Sequence, residues 1–202
     1  IDIEGPSING SDITLNANVA AEHPQACAST EFIAMPEVSD NCSAVTNVQV
    51  FTPVGELDYV TDGSGPTIGG NIPAPGLEIG TTDMTVIADD ACGNTSEETY
   101  TITIVDGITP TVICLEYTTV SLTTDGTAVV EAASFDNGTY DNCCLDYFEV
   151  RRMDDNAFGP TVAFDCEDET VMVVFRAVDC ADNFSDCMVE ITVEDKMNPV
   201  VT

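Results

Sequence analysis

The chain has 202 residues, no tryptophan, one histidine (His23) and only four Lys plus Arg. Those cations are Arg151, Arg152, Arg176 and Lys196, so residues 1–106 contain neither Lys nor Arg. Against them stand 36 Asp plus Glu, 17 of them in residues 1–106, for a formal net charge of −32. Such a field repels nucleic acid and anionic membranes and excludes both as partners. It attracts cations, Ca²⁺ above all. The plain alternative is solubility at high ionic strength, where salt screens the self-repulsion. No stretch approaches 18 apolar residues, so direct membrane insertion is not expected. No Cys-x-x-Cys pair occurs, and with a single His a zinc site is not expected. The same shortage leaves no His partner for any Ser or Cys, and an enzyme is not expected. Carboxylates lie near one another throughout, but with 36 of them that is expected by chance. No signal peptide is visible. Ile1 is not an initiator and the last residues read as a linker, so a piece of a longer protein is expected.

What is present is a repeat. Residues 81–112 align without a gap to residues 170–201, with ten identities: Thr81/Thr170, Ala88/Ala177, Asp90/Asp179, Asn94/Asn183, Ser96/Ser185, Ile102/Ile191, Thr103/Thr192, Asp106/Asp195, Pro110/Pro199 and Val112/Val201. Each copy reads as an acidic loop, an alternating strand and an Asp-x-x-x-Pro exit. That spacing occurs three times, at Asp2 to Pro6, Asp106 to Pro110 and Asp195 to Pro199. A proline there makes a short, stiff joint. The period is too long for a solenoid unit and suits tandem small domains, here residues 1–106 and 107–202.

The apolar pattern has a period of two. Tyr100, Ile102 and Ile104 share one face of a strand, and Thr99, Thr101 and Thr103 the other. Further strands are expected at Ser11 to Val19, Ala28 to Met35, Val45 to Phe51 and Thr82 to Ala88. In the second copy they are expected at Thr111 to Leu122, Thr127 to Ala133, Leu145 to Arg152, Thr161 to Phe164, Val171 to Val178 and Met188 to Glu194. Residues 63–76 are rich in Gly and Pro, read as a loop, and are expected to tolerate shortening. No helix is expected. Short strands with regular turn signals read as an all-β fold of two tandem immunoglobulin-like sandwiches.

An ordered set of short motifs runs through both copies. In the first it is Asp40-Asn41-Cys42, then Asp90-Ala91-Cys92-Gly93-Asn94, then Val105-Asp106 with Pro110 beyond. In the second it is Asp141-Asn142-Cys143, Asp179-Cys180-Ala181-Asp182-Asn183 and Glu194-Asp195, with Asp182 in place of Gly and Glu194 in place of Val. This set resembles the hyalin-type repeat and related immunoglobulin-like repeats of very large surface proteins, over essentially the whole chain. Such repeats are found in multi-repeat bacterial adhesins, including those exported by the type IX pathway, and in extracellular matrix proteins. The resemblance implies a secreted or cell-surface stalk or adhesin segment.

Nine cysteines point to an oxidising compartment. Cys114 and Cys187 have no cysteine counterparts in the first copy, where Gly10 and Glu98 stand. Both being lost together suits one bridge, Cys114–Cys187. Sandwich topology puts the loop of Cys143 and Cys144 and the loop of Cys180 at one end, with Cys42 and Cys92 as their counterparts, which favours Cys42–Cys92 and either Cys143 or Cys144 with Cys180. Cys166 then takes the other of the vicinal pair, although topology places it nearer the opposite end. Cys27 is left as a free buried thiol or as a bond beyond this chain. The same loops gather oxygen ligands: Asp40, Asn41, Asp89, Asp90 and Asn94 in one copy, and Asp141, Asn142, Asp179, Asp182 and Asn183 in the other. Oxygen donors from two loops suit Ca²⁺, which takes 6–8 oxygens in flexible geometry. The alternative is that Asp and Asn simply cap turns. A site at the linkers, on Asp106 or Asp195, is a further option. Of five Asn-x-Ser/Thr sequons (Asn9, Asn41, Asn94, Asn137, Asn183), two belong to the Asp-x-x-x-Asn loops and two more flank the Asp-Asn-Cys turns, which favours a structural role over glycan attachment.

The expected role is a structural repeat segment of a long extracellular adhesin or filament, with neighbouring repeats as partners. A ligand-binding module, with carbohydrate as one candidate and 63–76 as its contact loop, is the first alternative. A subunit of a homo-oligomeric surface appendage is the second.

Overall fold

The structure, a computed structural model, describes residues 2–18, 27–61 and 67–196. His23, residues 62–66 and Pro199 lie outside them. The chain divides into two compact units, Ile1–Gly107 and Ile108–Thr202. Strands of the first are β1 (Ser7–Asn9), β2 (Ile13–Asn16), β3 (Ala28–Ser29), β4 (Phe32–Ala34), β5 (Glu37–Ser39), β6 (Val45–Thr52), β7 (Gly55–Glu56), β8 (Asp58–Thr61), β9 (Thr67–Asn71), β10 (Leu77–Glu78), β11 (Gly80–Asp90) and β12 (Thr95–Val105). The second has β13 (Tyr117–Ser121), β14 (Thr127–Glu131), β15 (Leu145–Arg152), β16 (Thr161–Asp165), β17 (Thr170–Asp179) and β18 (Phe184–Glu194). The chain is all-β and immunoglobulin-like. The one helical element among the described residues is a 3₁₀ turn, Ala132–Phe135, which buries Ala132 and Phe135.

The first unit is built on a sheet of order β2-β12-β11-β6-β7. Its centre is the β11–β12 hairpin, antiparallel from Gly80↔Ile104 to Asp89↔Thr95. Period-two alternation makes it: Met84, Val86, Ala88, Ile102 and Ile104 are buried, while Thr81 and Thr103 meet side by side on the outer face at 3.0 Å. β2 runs parallel to β12, from Ile13↔Ile102 to Asn16↔Val105. The remaining strands form β4-β9-β8 and the pairs β1-β5 and β3-β10.

Residues 63–76 are not simply a loop. Within them β9 is the middle strand of its sheet, pairing with β4 and β8. Its glycines mislead a sequence reading because glycine usually marks turns. Here it admits neighbouring strands. A Cβ at Gly69 would strike the Ile33 carbonyl, and one at Gly70 would lie 2.8 Å from Leu57 Cβ. Shortening this segment would remove a central strand.

The second unit repeats the plan. Its main sheet is β13-β18-β17-β15, faced by β14-β16. β13 is parallel to β18, from Tyr117↔Glu190 to Ser121↔Glu194. Both sheets supply the core, with Val150, Phe175, Val189 and Ile191 opposite Val162 and Phe164. Phe148 and Phe175 pack with their rings tilted by 40° and centroids 5.2 Å apart. The strand expected from Thr111 starts only at Tyr117; upstream, the chain makes single bridges at Thr111↔Tyr140 and Cys114↔Asp136.

In each unit the first strand of the main sheet lies parallel beside the last. The chain therefore enters a sandwich at one end and leaves at the other.

Candidate metal centre

At the entry end of the first unit three segments converge: the residues before β1, the β5–β6 turn and the β11–β12 turn. The two turns are joined by Ala91 N donating to Ala44 O at 2.9 Å. Asp40 shapes the first turn. Its Oδ1 accepts from Cys42 N (3.0 Å), Ser43 N (2.6 Å) and Ser43 Oγ (3.2 Å). Such local bonding is why Asp is favoured in turns. Asp90, 4% exposed, shapes the second. Its Oδ1 accepts from Cys92 N and Asn94 N, both at 2.8 Å, and its Oδ2 from Asn94 Nδ2 at 2.7 Å. Gly93 turns the chain with φ of 92°.

Carboxylate oxygens of Asp2, Asp40 and Asp90 lie within 4.8 Å of one another. Backbone donors at Ser43 and Cys42 hold the Asp40 pKa below its ordinary value. For Asp90, burial opposes ionisation, but hydrogen bonds from Asn94 and Cys92 outweigh it and the pKa is again lowered. Two of the three groups are thus kept ionised side by side, in a unit whose sequence has no Lys or Arg. Asp2 Oδ1 accepts from Glu4 N at 3.3 Å, while its Oδ2 is buried without a hydrogen-bond partner. Two ligands of one ion are separated by at most about twice the ~2.4 Å calcium–oxygen distance, a limit this trio meets. Three hard oxygen donors with an orphaned carboxylate oxygen fit Ca²⁺.

The expected ligand set is therefore redistributed. Asp40 and Asp90 come together, and Asp2 joins them. The signal for Asp2 is the Asp-x-x-x-Pro spacing, which in sequence marks only a linker. Asp89 is elsewhere: it lies on the outer sheet face, accepting from Thr95 Oγ1 at 2.6 Å and Asn47 Nδ2 at 3.1 Å, which lower its pKa. Asn94 donates to Asp90 rather than offering its oxygen there, and Asn41 Nδ2 donates to Glu4 Oε2 at 2.8 Å.

The second unit has the same two turns. Asp179, fully buried, accepts from Ala181 N (2.8 Å), Asn183 N (2.7 Å) and Asn183 Nδ2 (2.9 Å). Asp141 Oδ2 accepts from Cys143 N at 2.7 Å, and an Asp141 oxygen lies within 4.8 Å of an Asp179 oxygen. Buried Asn142 approaches Cys143 Sγ at 3.2 Å. Asp182 is exposed and sits at φ 65°, where Gly93 stands in the first unit. Its role is the left-handed turn, which Asp tolerates better than most residues. The amides of Asn94 and Asn183 are both engaged by buried carboxylates, which suits turn residues rather than glycan acceptors. Asp106 and Asp195 directly follow the last strands, β12 and β18.

Cys114 is bonded to Cys187, and Cys144, not Cys143, to Cys180. Cys42 and Cys92, expected to pair, are free and exposed. The gapless alignment explains why: Cys180 stands opposite Ala91, not Cys92. The turn contact agrees, since Cys180 N donates to Cys144 O at 3.2 Å as Ala91 N does to Ala44 O. The first unit thus has alanines where the second has its bridge. Cys166 is also free and exposed, in the β16–β17 turn, and Cys27 is disulfide-bonded rather than a free thiol.

No family model matches the chain, and no curated protein does. Among solved structures it is similar to fibronectin(III)-like modules of Clostridium thermocellum CbhA, at 10% identity over 98% of this chain and 99% of that one, with TM-score 0.35. It is similar to an I-band fragment from titin, at 10% identity over 96% and 67%, with TM-score 0.46. It is also similar to a human mucin-like protocadherin fragment, at 8% identity over 94% and 98%, with TM-score 0.41. Among the described residues no helix is long and apolar enough to cross a membrane.

Proposed function

We propose that this chain is a non-enzymatic, load-bearing repeat segment of a secreted surface adhesin or filament, of the hyalin-repeat type, fastened by disulfides and Ca²⁺. The observation that carries the reading is the parallel pairing of first and last strands in both units. A pull on the two ends of a unit loads those ladder bonds together, in shear, instead of opening them one at a time. The Asp-x-x-x-Pro joints and the crosslink between Cys114 and Cys187 serve the same end. Ca²⁺ on Asp2, Asp40 and Asp90 ties the entry segment to two turns and relieves their mutual repulsion.

Stretching the chain by its ends in a force spectrometer tests this. Each unit is expected to yield in one force peak. The crosslink spans a sequence separation of 73. Full reduction of the second unit releases that span and adds roughly 260 Å of extension, at ~3.5 Å per residue. Smooth extension without peaks would remove the mechanical role. For the cation, Ca²⁺ is expected to raise the melting temperature in a concentration-dependent way, and NaCl at equal ionic strength is not. Equal melts in the two salts would end the calcium assignment and leave the fold reading intact.

A further inference from the structure

We propose that the outer face of the second unit's main sheet is a binding platform for a neutral, extended saccharide chain. This goes beyond a load-bearing role, which needs no such face.

The two units share a scaffold, so their outer faces can be compared row by row. In the second unit one cross-strand row is Tyr147–Val178–Phe184. The next is Glu149–Arg176–Asp186, and the third Arg151–Val174–Met188. The same rows in the first unit are Asn47–Asp89–Thr95, Gln49–Ile87–Glu97 and Phe51–Thr85–Thr99. There the leading row satisfies itself, because Asn47 and Thr95 both donate to Asp89. In the second unit that row is apolar, with buried Val178 between two exposed rings, Tyr147 at 44% accessible and Phe184 at 50%, and Met188 of the third row is exposed too, at 57%. The fold does not require this surface, since its twin does without it.

The platform is also held rigid. Arg176 lies between two rings, its guanidinium carbon 3.9 Å from the centroids of both Phe158 and Phe184. Asp186 grips it through two bonds, Nε–Oδ1 at 2.7 Å and Nη2–Oδ2 at 2.9 Å. Arg151 approaches the Phe158 ring at 5.0 Å, and its Nη1 donates to the carbonyls of Arg152, Met153 and Asp155, fastening the segment that leads to that ring. Side chains fixed before binding lose little entropy when a ligand arrives.

The chemistry selects the occupant. Tyr147 and Phe184 are two strand spacings apart, roughly 10 Å, about two sugar rings along an extended glycan. The electron-rich faces of aromatic rings attract the polarised C–H groups of a pyranose. One row away, Glu149 and Asp186 offer carboxylate acceptors for hydroxyl donors. On these rows Arg151 and Arg176 balance the two carboxylates, so the face itself is neutral, while the chain's net charge of −32 repels polyanions. The same net charge disfavours a second copy, which carries it too. A neutral polyhydroxylated chain meets both the rings and the acceptors without that penalty.

Native affinity electrophoresis of the full chain tests the assignment, in gels cast with hydroxyethyl cellulose, galactomannan or starch, with alginate as the anionic polymer. Retardation is expected in at least one neutral gel and not in alginate. Tyr147→Asn with Phe184→Thr installs the first unit's residues and should weaken retention at least tenfold, while Thr95→Ala in the first unit leaves it unchanged. Should the double variant lose its cooperative melt, Glu149→Gln is read instead: retention falls with the melt preserved. Absence of retention in every neutral gel, or retention in alginate alone, overturns the proposal. So does a dimer in equilibrium sedimentation that Tyr147→Asn with Phe184→Thr dissolves, which would make the face a self-association surface.

Discussion

Replacing Cys114 and Cys187 with alanine should loosen the second unit and leave the first untouched. The two cysteines are 73 residues apart, and the Cys144–Cys180 bridge nested between them already closes 36. About 37 residues therefore gain freedom in the unfolded chain when the outer bridge goes, taking 73 − 36. The chain-entropy relation assigns a loop of that size about 3.8 kcal/mol at 25 °C. At about 1.4 kcal/mol per factor of ten, this is several hundred-fold in the opening equilibrium. Hydrogen exchange reads it strand by strand, because core amides exchange through global opening of their own cooperative unit. Amides of β17 and β18 should exchange several hundred-fold faster in the double variant, and those of β11 and β12 at their original rate. Acceleration below tenfold in β17 and β18 would show that the bridge does not constrain the unfolded chain. Equal acceleration in β11 and β12 would show that the units do not have separate cores.

Other substitutions follow from the turns. Asp179→Ala strands three donors around a buried site and is expected to cost the second unit about 3 kcal/mol or more in a denaturant melt. Asp182→Val places a β-branched residue at positive φ and should cost about 1–2 kcal/mol, whereas Asp182→Gly stays within about 1 kcal/mol of the parent. Gly69→Ala drives a methyl group into the Ile33 carbonyl and should destabilise the first unit by more than about 2 kcal/mol. The folded pKa values of Asp40 and Asp90 are lowered. Their contribution is therefore complete above the unfolded value near 4 and is lost as pH falls through the lower folded values. Melts of the first unit should be flat from pH 7 to about 5 and fall steeply below about 4. A melting temperature unchanged down to pH 2 would refute this.

Much of the fold was legible because period-two burial is written directly into the chain. Leu145–Arg152 is a strand with the expected ends, and Val45, Thr161 and Thr127 begin strands as expected. The repeat carries more than the motifs do: aligned residue by residue, it sets Cys180 against Ala91. Matching the two Asp-x-x-x-Asn loops cysteine to cysteine sets it wrongly against Cys92. β9 was hidden because a glycine that permits close packing looks, in sequence, like one that permits a turn. Asp2 was hidden by distance, since most of the first unit's strands lie between it and Asp90. The aromatic row was invisible because Phe184 and Tyr147 come into line only through the registers of two strand pairs with Val178.

The parallel first and last strands also govern how such a sandwich can be cut and rejoined. In the first unit β12 has 11 residues. Entry and exit points therefore stand roughly 35 Å apart, at ~3.3 Å per residue. A circular permutant would need a tether of about ten or more residues to bridge that gap, and a short one would tear the edge it replaces. Growth by duplication meets no such obstacle. Each sandwich already delivers its chain to the far pole, where a further copy can begin without disturbing either core.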